Sequence, residues 1–166
     1  MRELRVLGIG SPFGDDQLGW EVVKLLQKCI DLNQFASNQL QLICCDRPGM
    51  YLLELMRDAN AVFLIDAIKT GAACGTVHRF KNQEIEAISN PLSSHTLGVA
   101  EAMKMGRALD ELPPNVILYG IEIDDIHHQS SLSEPLIKTV KVLSKQIKDD
   151  ILQWLHTTTR PNFKGK

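Results

Sequence analysis

The sequence predicts an α/β protein in which helices cover both faces of a mostly parallel sheet. Short apolar runs, typical of buried strands, alternate along the chain with amphipathic segments of helical period. The run Ala-Val-Phe-Leu-Ile at 61–65 is apolar at every position, which is typical of a central strand covered on both faces. We therefore expect a three-layer α/β/α sandwich.

Five apolar runs are predicted to form the strands of one sheet, and they span residues 4–8, 40–45, 61–65, 76–80 and 116–121. Only about ten residues separate Asp66 from Thr76, which is short for a crossover between parallel strands. The fourth strand also alternates apolar and polar residues, as an edge strand does. The sheet is therefore expected to be mixed and mostly parallel, with one antiparallel edge strand.

Four amphipathic segments are predicted to form the helices of the outer layers. After the first helix, which is described below, the second is short and lies at about 51–56. The third begins at Ser94 or His95 and ends near Leu109. The fourth spans 136–155, with Pro135 in its first turn. The first presents on one face the apolar residues Leu18, Val22, Leu25, Leu26, Cys29 and Ile30.

Length and composition point to one globular domain over residues 1–156, followed by a polar tail at 157–166 that is expected to fray. The net charge is -2, and the Lys and Arg residues are scattered and form no basic stripe of the kind that binds nucleic-acid phosphates. No nucleic-acid partner is therefore expected. No leader and no apolar run of about 18 residues is present, so we expect a cytoplasmic protein without a membrane partner. The four cysteines lack CxxC spacing and lie in apolar segments, which favours reduced, buried thiols.

The turn after the first strand contains three glycines and closes with two acids. It reads Gly8-Ile9-Gly10-Ser11-Pro12-Phe13-Gly14-Asp15-Asp16. In a doubly wound sheet this turn lies at the carboxyl ends of the strands, where ligands bind. Because a phosphate-binding loop would present backbone N–H groups and no carboxylates to the ligand, this turn is better suited to a cation.

Further polar residues follow the other predicted strands at the same edge of the sheet. Asp46 comes after the second strand, Asp66 ends the third, and the segment containing His95 is placed to reach this edge. Two carboxylates and an imidazole suit nickel, zinc or iron, and three protein ligands leave positions open for a substrate. If His95 begins a helix, the positive end of the helix dipole keeps its ring neutral for metal binding.

Each of these residues also has a structural interpretation. Asp15 or Asp16 could cap the first helix, Asp46 could shape its Pro-Gly turn, and His95 could be a polar loop residue. Asp66 is harder to explain in this way, because an acid at the end of an apolar strand is desolvated without an evident cap to make. The metal-site interpretation depends on these side chains lying close together.

Four blocks of sequence, in order, carry a family resemblance. They are Gly8-Ile9-Gly10 with Gly14-Asp15-Asp16; Phe63-Leu64-Ile65-Asp66-Ala67 leading to Gly75-Thr76-Val77; Ser94-His95-Thr96-Leu97-Gly98; and Leu112-Pro113 before Tyr119-Gly120-Ile121-Glu122. In these blocks the chain resembles the maturation endopeptidases of nickel-iron hydrogenases, and the resemblance extends over most of its length.

The resemblance implies an endopeptidase that removes a short C-terminal extension from a hydrogenase large-subunit precursor after nickel insertion. The family's metal-binding acids and histidine fall on Asp16, Asp66 and His95. Nickel carried by the substrate is then the recognition element, and no permanently bound cofactor is expected. The expected partner is the nickel-iron hydrogenase large-subunit precursor.

The chain departs from the family pattern at three places. Ser11 stands where the family usually has Asn, Gln17 where it has Gly, and Arg47-Pro48-Gly49 where a Gly-Gly pair is common. The departures bear on the conformation of these loops and on which hydrogenase is processed.

Four other interpretations remain open. The first is a Rossmann-like dinucleotide-binding module, although Asp46 follows the turn at more than the usual ~20 residues. The second is a thiol hydrolase with Cys44 or Cys45 as nucleophile and His95 as base. The third is a non-enzymatic nickel-binding accessory protein with the same ligands. The fourth concerns 124–128, Asp-Asp-Ile-His-His, which is either a second metal cluster or a solvated loop.

Overall fold

A computed structural model of the protein describes residues 2–88, 98–125 and 130–157. One five-stranded sheet has the order β2-β1-β3-β5-β4. The strand β4 runs antiparallel to β5, and every other neighbouring pair is parallel, so the predicted mixed sheet with one antiparallel edge strand is confirmed. The strands are β1 (Leu4–Gly10), β2 (Leu40–Asp46), β3 (Ala61–Ile68), β4 (Val77–Lys81) and β5 (Asn115–Glu122).

The α-helices flank the sheet, and a 3-10 turn at Gly14–Gln17 precedes the first of them. No helix within the described ranges is long and apolar enough to cross a membrane. Beyond residue 157 the predicted frayed tail lies outside these ranges. The helices are α1 (Leu18–Gln27), α2 (Leu52–Met56), α3 (Gln83–Glu86), α4 (Val99–Ala108) and α5 (Glu134–Thr157).

The core consists of two apolar layers, one on each face of the sheet. On β3, Phe63 and Ile65 pack in the layer with α1 and α5, whereas Val62 and Leu64 pack in the layer with α2 and α4. Because successive strand residues face opposite sides, this alternation shows that β3 is buried on both faces. The predicted three-layer α/β/α sandwich is therefore confirmed.

The predicted helices differ from the structure in three details. The third was expected to begin at Ser94 or His95, but α4 begins at Val99, because Gly98 before it has extended backbone angles, φ -75° and ψ 175°. Residues 94 and 95 themselves lie outside the described ranges. The first helix was predicted to continue to Ile30, but α1 ends at Gln27 and the side chain of Ile30 is 83% exposed. The short helix α3 was not predicted.

The first turn is held over the sheet by direct backbone packing of α1. A Cβ atom on Gly19 would lie 2.3 Å from the backbone oxygen of Ile9 and 2.7 Å from that of Ile65. Only glycine allows this approach, so the start of α1 rests on the backbones of β1 and β3. The turn at 11–17, which precedes Gly19 closely in sequence, is thereby placed at the carboxyl ends of these two strands.

Candidate active site at the carboxyl ends of β1 and β3

The structure brings Asp16 and Asp66 to the same edge of the sheet. Asp66 lies in β3, one residue after Ile65, which pairs with Gly8 of β1; Asp16 lies in the 3-10 turn that follows β1. The carboxylate of Asp16 is near enough for its charge to raise the pKa of Asp66. From β1 the chain passes to β2 on one side and then crosses to β3 on the other side of β1, so this edge is a topological switch point, where α/β proteins bind ligands.

Asp16 closes the turn through both its backbone and its side chain. The Ser11 hydroxyl donates a hydrogen bond of 2.5 Å to Oδ2 of Asp16, and the Ser11 N–H donates to the Asp16 carbonyl at 3.2 Å. Burial raises the pKa of Asp16, while the Ser11 hydrogen bond and the charge of Arg47 act in the opposite direction. Asp16 is therefore held in place, yet its charged form is disfavoured by desolvation.

Asp66 is the more strongly perturbed of the two acids. Burial raises the pKa of Asp66 well above its ordinary value, and the charge of Asp16 raises it further, against a lowering effect of the Ala67 N–H. Two neighbouring carboxylates that have lost part of their hydration repel each other, and a divalent cation between them relieves both costs. The pair can bind a metal ion or accept a proton.

Asp15, although adjacent in sequence, has a different role. It is buried, and its two carboxylate oxygens accept hydrogen bonds from the N–H and the hydroxyl of Ser133, at 2.7 and 2.9 Å. Ser133 immediately precedes α5, so Asp15 ties the first turn to the start of the last helix. Sequence reasoning missed this role, because nothing local links two residues separated by 118 positions.

Asp46 lies near this edge but is already paired. It ends β2, is exposed, and accepts a 2.7 Å hydrogen bond from Nε of Arg47. Arg47 also lies over the Phe13 ring, 6.0 Å from its centroid, and donates its N–H to the Gly10 carbonyl. The interpretation of Asp46 as a turn-shaping residue therefore fits better than a ligand role, and Arg47 adds a positive charge beside Asp16.

His95 falls in the stretch 89–97, outside the described residues. The electrostatic argument for its neutral ring, which required that His95 begin a helix, therefore stays a prediction. Within the parts of the chain that the structure describes, no three His, Cys, Asp or Glu side chains are grouped so that they could hold a metal ion. Asp16 and Asp66 thus lie together at this edge, and their role as metal ligands, with His95 as the third, stays a prediction.

The cysteines are not suited to nucleophilic catalysis. Cys44 and Cys45 face opposite sides of β2, since Cys44 is exposed and Cys45 is buried. The expectation that all four thiols are buried is therefore wrong for Cys44, and Cys29 and Cys74 are only partly buried. Partial desolvation raises the pKa of Cys44, and burial raises that of Cys45 to about 11, so neither is a thiolate at neutral pH. This disfavours the thiol-hydrolase interpretation.

The glycine turn is also unsuited to a dinucleotide phosphate. The N–H of Ser11 is bonded to the Asp16 carbonyl, and the N–H of Asp16 is bonded to the Phe13 carbonyl. These are donors that a phosphate-binding turn would direct at its ligand. The carboxylates at the same place repel an anion, so the turn favours a cation.

The acidic segment before α5 is only partly described. Asp124 and Asp125 are exposed, and Asp125 forms an ion pair with Lys69. Residues 126–129, with both histidines of the proposed second cluster, lie outside the described ranges. The second-cluster interpretation thus stays a prediction.

Sequence reasoning also overlooked the acid at the end of β5. Glu122 is buried, with 1% of its surface exposed, and it accepts hydrogen bonds from the loop between β3 and β4. The signal that selected Asp66, an acid closing an apolar strand, is present at Glu122 as well. It was quoted as part of a family motif but not considered as a functional residue.

Comparison with known proteins matches residues 20–150 to the HycI family model, described as hydrogenase maturation protease. The matched stretch includes Asp66 and His95 and begins after Asp16. The HupD hydrogenase expression/formation protein of Thiocapsa roseopersicina is 29% identical over 129 residues, which cover 74% of this chain but only 57% of that protein. The hydrogenase 2 maturation protease of Escherichia coli K12 is 24% identical, over 86% of each chain.

The fold is shared with a solved structure, the hydrogenase maturating endopeptidase HybD from E. coli. The TM-score is 0.78 at 23% identity, and the match covers 92% of this chain and 93% of that one. The likeness in fold agrees with the sheet order and the flanking helices described above. With the family model matching most of its length, the chain belongs to the HycI family of hydrogenase maturation proteases.

Proposed function

We propose that the protein is an endopeptidase that removes the C-terminal extension of a nickel-iron hydrogenase large-subunit precursor after nickel has been inserted. One observation carries the proposal within this family: Asp16 and Asp66 lie together at the switch point of the sheet, and burial disfavours the charge of each. The charged form of such a pair is stabilised by a bound divalent cation, and a precursor that carries nickel would supply one.

In this proposal nickel is part of the substrate. Asp16 and Asp66 bind it, with His95 as the predicted third ligand, and no permanently bound cofactor is required. Nickel held jointly by substrate and protease fixes the position of the scissile peptide and polarises its carbonyl, or lowers the pKa of an attacking water. No cysteine or serine nucleophile is then needed.

The raised pKa of Asp66 suggests a division of labour between the acids. A proton acceptor works best when its pKa lies near the working pH, and Asp66 is shifted in that direction. Asp16 is already held by the Ser11 hydroxyl, which suits a ligand of fixed orientation. We therefore propose Asp66 as the general base when one is required, and Asp16 as the more constant ligand.

Recognition of nickel explains the timing of the reaction. A precursor without nickel offers the two acids no cation, so the protease is not retained at the cleavage site. The free state of all four cysteines is typical of a reducing compartment, and we place the reaction in the cytoplasm.

The test is to incubate the purified protein with its large-subunit precursor in nickel-loaded and nickel-free forms, and to follow cleavage by mass spectrometry. We expect cleavage of the loaded form alone. Asp46→Asn serves as a matched control, because Asp46 lies at the same edge but is paired with Arg47, and it should retain cleavage. Equal cleavage of both forms would overturn the nickel-dependent step.

The same experiment tests the accessory-protein interpretation. A non-enzymatic nickel-binding protein would share Asp16, Asp66 and His95 but leave the precursor intact. Binding of the loaded precursor without any cleavage would therefore exclude the protease and favour the accessory role.

A further inference from the structure

Glu122 ties the end of β5 to the loop at 69–76, which connects β3 to β4. Its Oε1 accepts hydrogen bonds from the N–H of Thr70 at 2.5 Å, the hydroxyl of Thr70 at 3.0 Å and the N–H of Ala72 at 3.0 Å. The Glu122 backbone also accepts from the Gly75 N–H and donates to the Thr76 carbonyl. One buried residue thus holds both ends of the loop.

The second carboxylate oxygen of Glu122 is left without a hydrogen bond. It lies 3.7 Å from Nε2 of His78, a distance too long for a hydrogen bond, and that nitrogen is likewise without a hydrogen bond. A buried carboxylate with one unsatisfied oxygen costs free energy that an apolar side chain would avoid. The contacts that account for a carboxylate here are therefore those of its other oxygen, to the loop.

The loop adjoins the candidate active site. In the register of the sheet, Asp66 pairs with Gly120 and Ile68 pairs with Glu122. The side chain of Ile68 fills the space over Gly120, because a Cβ atom there would lie 2.6 Å from Cδ1 of Ile68. Tightly packed contacts therefore connect the loop anchor at Glu122 with the last residues of β3, among them Asp66.

We propose that Glu122 is a positioning residue for the cleavage reaction: by holding the loop at 69–76, it keeps the end of β3 extended and Asp66 opposite Asp16. This rests on the proposed function. Glu122 does not touch the substrate in this role, and it acts through Thr70, Ala72 and the backbone of β3. Hydrogen bonds to a charged acceptor are stronger than neutral ones, which accounts for a carboxylate at this position.

The structural half of the proposal is tested without catalysis, by amide hydrogen exchange at Thr70 and Ala72. In Glu122→Ala, exchange at both amides should accelerate about tenfold or more, because their acceptor is removed. Glu122→Gln retains an acceptor oxygen and should restore most of the protection. Glu84→Ala is the matched control: Glu84 accepts the Lys81 N–H at 2.7 Å beyond the other end of β4 and should leave this loop unchanged.

The catalytic half is tested with the nickel-loaded precursor. For Glu122→Ala we expect kcat to fall about tenfold while KM changes less than about twofold, with rescue by Glu122→Gln and no effect of Glu84→Ala. Thr70→Val provides a milder variant, because it leaves the buried Glu122 side chain in place. Thr70 is exposed, and loss of its hydroxyl should accelerate exchange at Ala72 and lower kcat in the same direction by about threefold.

The outcomes separate the two proposals. Unchanged exchange in a folded Glu122→Ala protein, or accelerated exchange with unchanged kcat, would overturn the positioning role alone. If the wild-type protein fails to cleave the loaded precursor, the proposed function fails, and the positioning role for that reaction fails with it.

Discussion

The acids at the carboxyl edge of the sheet fall into two pairs that differ in the groups that surround their carboxylates. Asp15 and Glu122 are buried, and each accepts hydrogen bonds from backbone N–H groups, those of Ser133 and of Thr70 and Ala72. Asp16 and Asp66 lie together at the switch point, where burial raises the pKa of each, although Asp66 also accepts the Ala67 N–H and Asp16 the Ser11 hydroxyl. The comparison indicates that the first pair holds loops in place, whereas for the second pair we propose a cation as the partner.

The largest expected effect breaks the second pair. Asp16→Ala, Asp66→Ala and His95→Ala should each lower cleavage of the nickel-loaded precursor by about a thousandfold, the equivalent of losing about 4 kcal/mol of transition-state stabilisation. Since the three act as one unit, double variants should be scarcely slower than single ones. Circular dichroism checks that each variant is folded. Near-normal processing by any folded single variant contradicts the shared site, and His95 is the first to test.

Removal of Asp15 should act on stability and not on the chemistry. In Asp15→Ala the Ser133 N–H and hydroxyl lose their acceptor, and we expect a loss of about 2 kcal/mol in the free energy of unfolding. Urea denaturation followed by circular dichroism measures it. The matched variant Asp16→Ala should lose less stability, because its carboxylate is disfavoured by burial. Equal losses at the two positions would remove the distinction between the pairs.

A pH series sharpens the contrast at Asp66. Its pKa is raised above the ordinary 3.8, so the folded state holds the proton more tightly than the unfolded state. The contribution of Asp66 to stability is therefore present in acid and is lost as pH rises through the folded pKa. Asp66→Asn cannot ionise, and its metal-free form should gain stability relative to wild type as the pH rises above the ordinary Asp pKa of 3.8. A difference in unfolding midpoint that stays constant with pH would argue against a desolvated carboxylate.

The smallest effect is expected at the cysteines. Cys44→Ala and Cys45→Ala should process the precursor within about twofold of the wild-type rate, because both thiols have raised pKa values and remain protonated at neutral pH. Cys45 is buried, so its variant is compared at equal folded fraction. Loss of turnover in a folded variant would restore the thiol-hydrolase interpretation. Catalysis would then depend on a cysteine and not on Asp16 and Asp66.

The strands were predicted well because their signal is local. The runs that begin at Leu4, Leu40 and Ala61 agree with β1, β2 and β3 at their first residue. The short connection after Asp66 was enough to predict the antiparallel β4, since chain length limits the possible crossovers. The start of α4 was predicted wrongly because the extended backbone angles of Gly98, directly before the helix, leave no mark in apolar periodicity.

The sequence by itself determined the α/β class, the mixed sheet and the edge at which Asp16 and Asp66 lie, because periodicity and chain length are properties of neighbouring residues. Only the tertiary structure separated Asp15 from Asp16 and showed the role of Glu122. The partners that decide these roles, Ser133 and Thr70, are 118 and 52 residues away in the chain. Whether an acid is stabilised by donors or left desolvated depends on such distant groups, which come together only when the chain folds.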